Sequence, residues 1–275
     1  MQEAPAWLHS SFYRFSPLAD PTAAAAQLRG LATGLLGSIV LATEGISGAV
    51  AGLPADIAAF EAKLQASGLF GEAALVFKHS GCRTKPFGRL KISVKTEIVA
   101  LDLPGASKLP PPDEHDDSHL SPRAWRELLD RDDVVLLDNR NHFEWRLGHF
   151  RGAVDPGVHN FRDFVAYVEA QAPQWRAERK TVAMYCTGGV RCDKTAPWMR
   201  SLGLTVVQLD GGILNHLQTL PDAERDWQGE CFVFDKRVAL DSQLRETATG
   251  AEAVFDPALP DEAWRLARAR RLDEA

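Results

Sequence analysis

The spacing of hydrophobic residues along the first hundred positions predicts short strands separated by helices. Residues 11–15 are aromatic and residues 38–42 are β-branched and apolar, and both patterns are typical of strands. The apolar pattern resumes at 46–51 after Glu44-Gly45, so these two segments are predicted to pair across a tight turn. Two more strand-like segments follow, at residues 74–78 and 90–101.

Two helices are predicted between these strands. Residues 20–29 are rich in alanine, which has the highest helix propensity. Pro54 stands where a proline is tolerated in the first turn of a second helix. The apolar residues after it share one helical face: Ile57, Phe60, Ala62 and Leu64. The resulting order, β-α-β-β-α-β, is that of a ferredoxin-like α+β sandwich.

The second half of the chain has a different pattern. Helices alternate with strands that are continuous apolar runs, which indicates a parallel α/β sheet. The predicted strands are 134–137, 181–185 and 205–209, and the predicted helices include 123–129 and one from Asn160 to about residue 170. Between the halves, a proline-rich stretch with a His/Asp-rich centre neither packs well nor continues a helix.

These changes of pattern predict four segments. A ferredoxin-like domain occupies residues 1–103, and a linker occupies 104–122. An α/β domain occupies 123–225, and a C-terminal tail with one strand and one basic amphipathic helix occupies 226–275.

Composition favours a protein of two soluble domains. The chain has 275 residues, 45% hydrophobic and 25% charged, which suits globular cores of ordinary size. The longest uncharged stretch, residues 30–43, is shorter than the ~20 residues of a membrane span, and no secretory signal follows Met1. The four cysteines form no C-x-x-C pair. We therefore expect a reduced, cytoplasmic protein without a membrane partner, and no protein partner can be inferred.

One basic segment stands out in a chain whose net charge is −6. Residues 76–95 contain six lysines and arginines, one histidine and no acidic residue. Such a segment is usually a solvated surface, but it also has the charge that a nucleic-acid phosphate backbone requires.

The segment after the predicted strand 181–185 has the pattern of a catalytic loop. Cys186 follows the strand directly, at the edge of an α/β sheet where catalytic groups lie. Two glycines then allow the backbone N–H groups to turn inward, and Arg191 and the next helix add positive charge. Because these features favour a thiolate, Cys186 is the predicted nucleophile and Arg191 its catalytic partner. The remaining loop residues are Thr187, Gly188, Gly189 and Val190.

The number of residues between Cys186 and Arg191 indicates the size of the group that the loop can bind. Four residues separate Cys186 from Arg191, one fewer than in the phosphate cradle of cysteine phosphatases, so a terminal sulfur or a similar small group fits better than a phosphate. Cys192 either packs or resolves an oxidised Cys186. The loop alone leaves a sulfurtransferase that carries a persulfide on Cys186 as one alternative, and a non-catalytic RNA-binding protein with an unreactive Cys186 as another.

Four motifs of the second half of the chain resemble those of a rhodanese domain. They are Asp138-Asn-Arg140 with Glu144, Gly148-His-Phe-Arg-Gly-Ala153, the Cys186 loop and Asp210-Gly-Gly-Ile213. The chain from about residue 12 to 240 resembles the rhodanese-domain tRNA uridine hydroxylases. The segments that carry this second resemblance are Leu41-Ala-Thr-Glu-Gly-Ile-Ser-Gly48, Phe77-Lys-His-Ser80, Arg89-Leu-Lys91, Tyr185-Cys-Thr-Gly-Gly-Val-Arg-Cys192 and Cys231-Phe-Val-Phe-Asp-Lys-Arg-Val238.

This resemblance implies a rhodanese-like catalytic domain at 123–225 and oxygen-dependent hydroxylation of the wobble uridine (position 34) of tRNA to 5-hydroxyuridine. The implied partner is the tRNA anticodon loop, and an RNA substrate explains the basic segment. Phe87 is predicted to stack on an unpaired base. The candidate RNA-binding residues are Lys78, His79, Arg83, Lys85, Phe87, Arg89 and Lys91.

The sequence identifies no cofactor. The resemblance implies that the reaction uses molecular oxygen and an unknown reductant. A dinucleotide-binding fingerprint is absent from the sequence. An iron site matches only loosely at His142, Glu144 and His149 or His159. We instead expect Glu144 and His149 to order the rhodanese-like loop, and we predict no metal. Two routes remain open: Cys186 adds to C6 of uracil, or it works as a persulfide or sulfenate.

Overall fold

The computed structural model describes residues 7–71, 74–103 and 116–273, and the chain forms two compact units. The first comprises the chain up to Ala100, the segment Phe234–Val238 and the end of the chain from Ala269. The second comprises Leu101–Val233 and Ala239–Arg268. The tail after residue 225 therefore contributes to both units.

The first unit is a five-stranded sheet with two helices packed on it. Its elements are β1 (Trp7–Phe15), α1 (Pro21–Leu31), β2 (Leu36–Ala42), β3 (Gly45–Gly52), α2 (Pro54–Ala66), β4 (Lys78–Cys82) and β5 (Leu90–Val94). The strand order is β4-β1-β3-β2-β5, with β5 parallel to β2 and the other pairs antiparallel. Apolar residues of α1 and α2 pack against those of β1, β2 and β3. The predicted ferredoxin-like sandwich is confirmed, with β5 added at one edge.

Two predicted strands have different bounds in the structure: the strand predicted at 74–78 lies later in the chain, and the strand predicted at 90–101 is shorter. β4 begins only at Lys78, because Leu75 is buried in the core of the unit and its N–H donates to Gln65 Oε1 (2.7 Å) instead of joining a strand. β5 ends at Val94, since the N–H of Ile98 donates to Glu44 Oε1 (2.8 Å). In both segments the apolar pattern reflects core packing outside the sheet.

The second unit is built on a parallel sheet in the order β6-β10-β9-β7. The elements that precede the catalytic loop are β6 (His119–Leu120), α3 (Pro122–Leu128), β7 (Val134–Asp138), α4 (His142–Leu147), β8 (Gly148–Phe150), α5 (Phe164–Ala177) and β9 (Thr181–Tyr185). Those that follow it are α6 (Val190–Ser201), β10 (Thr205–Leu209), α7 (Gly212–Thr219), β11 (Trp227–Gly229), β12 (Cys231–Phe232), β13 (Ala239–Leu240), α8 (Ala251–Val254) and α9 (Pro260–Asp273), of which the residues from Ala269 are assigned to the first unit. The predicted parallel α/β sheet is confirmed.

The last residues of the predicted linker join this sheet. Residues 104–115 lie outside the described part of the chain, but His119–Leu120 pair with Gln208 and Leu209 as the edge strand β6. His119 bridges two carboxylates, with Nδ1 at 3.0 Å from Asp116 and Nε2 at 2.8 Å from Asp193 of α6. This contact fastens the strand to the helix that follows the catalytic loop.

A buried aromatic cluster surrounds the central strand β9. Tyr185 packs edge-to-face against Trp125 and Phe150, and Phe150 packs the same way against Trp227. β9 lies between β7 and β10, and all of its residues after Thr181 are buried, so side chains on both faces are covered, which explains the continuous apolar run. The rigid strand holds Cys186 in place at its carboxyl end. No helix in the described part of the chain is long and apolar enough to span a membrane.

Candidate active site

Cys186 lies at the carboxyl edge of the parallel sheet, as predicted from its position after a buried strand. β9 ends at Tyr185, and α6 begins at Val190, with Gly189 as its N-cap. Gly189 has φ +104°, a conformation that L side chains rarely adopt, and its N–H donates to Cys186 Sγ (3.1 Å). The loop therefore turns a backbone donor toward the sulfur, as the two glycines predicted.

The environment of Cys186 favours the thiolate, although only 1% of the residue is exposed. Burial alone raises the pKa of this thiol. A hydrogen bond from the Cys192 thiol, the charge of Arg191 and the backbone N–H groups of Arg191 and Cys192 outweigh burial, and they lower the pKa from 9.0 to about 6. At neutral pH the sulfur is therefore an anion and a nucleophile.

Cys192 lies against Cys186 and acts as a hydrogen-bond donor to it. Burial raises the pKa of the Cys192 thiol, and the neighbouring Cys186 sulfur raises it further. Cys192 therefore keeps its proton while Cys186 loses its own. The sequence offered packing or resolution of an oxidised Cys186 as roles for this residue, and the structure adds stabilisation of the thiolate.

Arg191 is fixed by the carboxylate of Glu144, a residue of the rhodanese-like motif. Its two terminal nitrogens lie 3.0 and 3.1 Å from the two carboxylate oxygens of Glu144, and its guanidinium stands 5.7 Å from the Phe161 ring centroid. Glu144 is fully buried and also accepts a hydrogen bond from the N–H of Asn141 (3.1 Å). The spacing Asn141-x-x-Glu144 is a helix-capping pattern, which was the available signal for this residue.

The loop also rests on the N-terminus of α7. The N–H groups of Ile213 and Leu214 donate to the carbonyl oxygens of Cys186 (3.0 Å) and Thr187 (3.1 Å). Gly212 has φ +68°, and a Cβ there would lie 2.4 Å from the Cys186 oxygen. The motif Asp210-Gly-Gly-Ile213 supported the family resemblance, and the structure shows that it supports the loop.

A buried ion pair anchors the neighbouring strand end. Arg140 bonds the Asp138 carboxylate through Nε (2.9 Å) and Nη2 (2.7 Å), and Nη2 also donates to the Gly148 carbonyl (2.6 Å). The Arg140 guanidinium lies between the rings of Tyr185 and Trp227. These contacts fix the segment that leads to Glu144.

The structure brings together only part of the set considered for an iron site: the ring centroids of His142 and His159 lie 5.9 Å apart, while Glu144 and His149 bond elsewhere. Both Glu144 oxygens are bonded to Arg191, while His142 Nδ1 lies 2.6 Å from Asp155. His149 Nδ1 bonds the carbonyl of Trp145 (2.8 Å). Within residues 7–71, 74–103 and 116–273, no three His, Cys, Asp or Glu side chains are grouped to hold a metal ion.

The candidate RNA-binding residues belong to the first unit and spread across its sheet. Lys78 and His79 lie on the edge strand β4, and Lys91 lies on the opposite edge strand β5. The loop 83–89 connects these two edges. It carries the remaining candidates, Arg83, Lys85, Phe87 and Arg89, of which the three cations are exposed.

Several of these candidates contact protein side chains. Lys78 Nζ lies 5.0 Å from the Tyr13 ring centroid, and Lys85 Nζ lies 5.2 Å from that of Trp7. His79 Nε2 lies 2.7 Å from Glu61 Oε1. The Phe87 ring is half-buried and stacks on His9, with the ring centroids 5.9 Å apart. The exposed cations of the loop 83–89 remain the most accessible part of the set.

Comparison with known proteins agrees with both units. Residues 7–98 match the model of the UPF0176 acylphosphatase-like domain, and residues 121–218 match that of the rhodanese-like domain. A protein of Jannaschia sp. (strain CCS1), named tRNA uridine(34) hydroxylase, is 42% identical over 86% of this chain and 77% of its own length.

Other relatives carry the same name. The protein of Synechococcus elongatus is 44% identical over 86% of both chains. That of Nitrobacter winogradskyi is 42% identical over 92% of this chain and 98% of its own. With this identity across both units, the chain belongs to the tRNA uridine(34) hydroxylase family.

Proposed function

We propose that this protein hydroxylates C5 of uridine 34 in tRNA, using molecular oxygen, and that the Cys186 thiolate is the reacting group. The name shared by its relatives supports the reaction and the substrate. The observation that carries the role of Cys186 is its sulfur, which accepts the Gly189 N–H and has a pKa of about 6. A sulfur of this kind is ionised and nucleophilic at neutral pH.

The proposed chemistry begins with addition of the thiolate to C6 of uracil. The new S–C6 bond places the electron pair of the C5–C6 double bond on C5 and the adjoining carbonyl, and C5 then reacts with oxygen. Arg191 and the loop N–H groups stabilise the negative charge that develops. Thr187 Oγ1 is buried without a hydrogen-bond partner in the described part of the chain, so it is available to a uracil carbonyl.

The oxygen balance requires a reductant. One oxygen atom enters the C5–H bond, and the other is reduced to water with two electrons and two protons. An external donor supplies these electrons, and elimination of Cys186 from C6 restores the thiolate and the ring.

We place the RNA contact on the exposed cations of the first unit and identify the bound element as the anticodon loop. Lysines and arginines provide affinity through phosphates without reading sequence. Position 34 lies in a single-stranded loop, where a base can leave the stack and enter a protein site.

Nucleoside mass spectrometry of tRNA tests the proposal. In a strain lacking this protein, wild type should restore 5-hydroxyuridine and Cys186→Ala should fail. Cys82→Ala should act as wild type, because the Cys82 side chain is fully buried and belongs to no part of the Cys186 loop. Purified protein with tRNA and a reductant should form the product in air and not under anaerobic conditions. Full restoration by Cys186→Ala would contradict the role of the cysteine.

Sulfur transfer is the second candidate, because the rhodanese-like match includes the Cys186 loop. It predicts that thiosulfate adds one sulfur atom to the Cys186 peptide and that cyanide removes it as thiocyanate. Thiocyanate turnover without any change in tRNA 5-hydroxyuridine would favour this function over hydroxylation.

A further inference from the structure

A turn from the far end of the sequence folds into the first unit. The segment Phe234–Val238 belongs to that unit, and the N–H of Lys236 donates to the carbonyl of Pro86 (2.9 Å). The turn is thus bonded directly to the loop 83–89, which carries exposed cations. The sequence motif around Asp235 contributed to the family resemblance but had no assigned role.

Buried charges hold this turn in one conformation. Asp235 accepts hydrogen bonds from Arg237 through Nε (2.8 Å) and Nη2 (2.7 Å), and Arg237 Nη1 donates to Ser80 Oγ of β4 (2.7 Å). The side chains of Asp235 and Arg237 are almost wholly buried. Val238 has φ +61°, which is rare for a β-branched residue, so the surrounding contacts determine the backbone of the turn.

The rigid turn presents an aromatic ring and a cation to solvent. Phe234 is 59% exposed, more than most phenylalanines on a protein surface, and Lys236 is partly exposed. The charge of Asp235 is neutralised by Arg237. With Arg83, Lys85 and Arg89 on the loop 83–89, the turn extends a basic surface that now includes an exposed ring.

This combination matches unpaired nucleotides better than a protein or a lipid surface. Every base has a π-face that stacks on an aromatic ring, and the linking phosphates attract lysine and arginine. Phe87 is half-buried and stacks on His9, whereas Phe234 is 59% exposed. Phe234 is therefore the better placed of the two rings to stack on a base.

We propose that Phe234 and Lys236 are tRNA-binding residues, Phe234 stacking on an unpaired base and Lys236 contacting a phosphate beside the loop 83–89. The proposal rests on the proposed function, in which tRNA is the substrate. It adds a binding element from the C-terminal tail to the first unit.

Fluorescence anisotropy of labelled tRNA binding to the full-length protein tests this. Phe234→Ala should weaken binding about tenfold, the loss expected for one base–aromatic stack, and Phe234→Trp should restore it. Lys236→Gln should weaken binding and lower the slope of log affinity against log salt by about one. Leu53→Ala is the matched control, because Leu53 lies in the same unit and is 56% exposed, yet has no ring.

The outcomes separate this proposal from the proposed function. Unchanged affinity of Phe234→Ala at every salt concentration would overturn the inference, even if wild type forms 5-hydroxyuridine. Weakened binding by Phe234→Ala, with no 5-hydroxyuridine formed by wild type, would support the inference and contradict the hydroxylase function. Equal losses in Phe234→Ala and Phe234→Trp with a lowered melting temperature would show a folding role and overturn base stacking.

Discussion

At the scale of single residues, the reactivity of Cys186 comes from a small set of donors. Gly189 supplies a backbone N–H to the sulfur, Cys192 a thiol, and Arg191 a positive charge. Glu144 holds Arg191 through two oxygens and is itself fully buried. The donors of Gly189 and Cys192 and the charge of Arg191 compensate for burial, which by itself disfavours an anion. The site therefore depends on hydrogen bonds and charges in close contact with one atom.

Replacing the donor Cys192 should make Cys186 less acidic. In Cys192→Ala the thiolate loses a hydrogen bond, so its pKa should rise from about 6. If the pKa of Cys186 rises from about 6 to about 7, the rate of its alkylation by iodoacetamide at pH 6 should fall about fivefold. Peptide mass spectrometry over a pH series measures this, with Cys82→Ala as the control. An unchanged midpoint would show that Cys192 only packs.

Removing the charge of Glu144 should destabilise the second unit. Glu144→Gln leaves the Arg191 guanidinium without its buried carboxylate, and breaking a buried ion pair costs about 3–5 kcal/mol of unfolding free energy. Urea unfolding measures the loss. Asp133→Asn is the comparison, because it breaks the exposed pair with Arg131 and should have little effect. Equal stability of the two variants would contradict the structural role of Glu144.

At the scale of secondary-structure elements, the catalytic loop is supported by more than its own strand and helix. α7 donates two N–H groups of its first turn to the loop carbonyl oxygens of Cys186 and Thr187. The first N–H groups of a helix have no partner within the helix, so they are free to bind a neighbouring carbonyl. The loop is consequently positioned by β9, α6 and α7 together.

A methyl group at Gly212 should displace this loop. Gly212→Ala places Cβ 2.4 Å from the Cys186 oxygen at a residue with φ +68°, so both sterics and backbone conformation oppose it. We expect a loss of ~2 kcal/mol or more in unfolding free energy together with loss of tRNA 5-hydroxyuridine. Gly188→Ala has no atom within 4 Å of the added Cβ and should retain wild-type stability. Wild-type stability and product in Gly212→Ala would refute the support by α7.

At the scale of the whole molecule, His119 and Cys186 make the free energy of unfolding depend on pH in opposite directions. Burial lowers the pKa of His119, but hydrogen bonds and charges of Asp193 and Asp116 raise it to about 9. The folded state therefore holds a proton on His119 that the unfolded state releases above pH 6.5. Cys186 behaves in the opposite way, since the unfolded thiol keeps a proton that the folded state has lost.

Substitution of His119 or Cys186 should separate their contributions to the unfolding free energy between pH 6.5 and 8.5. Stability from His119 is complete below pH 6.5 and falls as pH rises toward 9, whereas stability from Cys186 grows as pH rises above 6. Each contribution is at most about 3–4 kcal/mol. Urea titrations should show stability rising more steeply with pH in His119→Gln than in wild type. In Cys186→Ser it should fall with pH, and parallel curves for all three proteins would contradict these pKa values.

The sequence by itself determined the features that depend on neighbouring residues. Strand and helix periodicity predicted the ferredoxin-like sandwich and the parallel sheet, and the strand–Cys–Gly-Gly–Arg pattern located the Cys186 loop. These are local signals, because hydrogen-bonded ladders, glycine turns and helix starts involve residues a few positions apart.

Only the tertiary structure decided which distant residues complete these features. Glu144 reaches Arg191, Gly212 underlies Cys186, and Phe234 and Lys236 join the loop 83–89 from about 150 residues away. Each contact depends on how separate elements pack, and the spacing of residues along the chain contains no record of that packing. Close approach between backbones and burial of charges select these partners, and both arise only when the chain is folded.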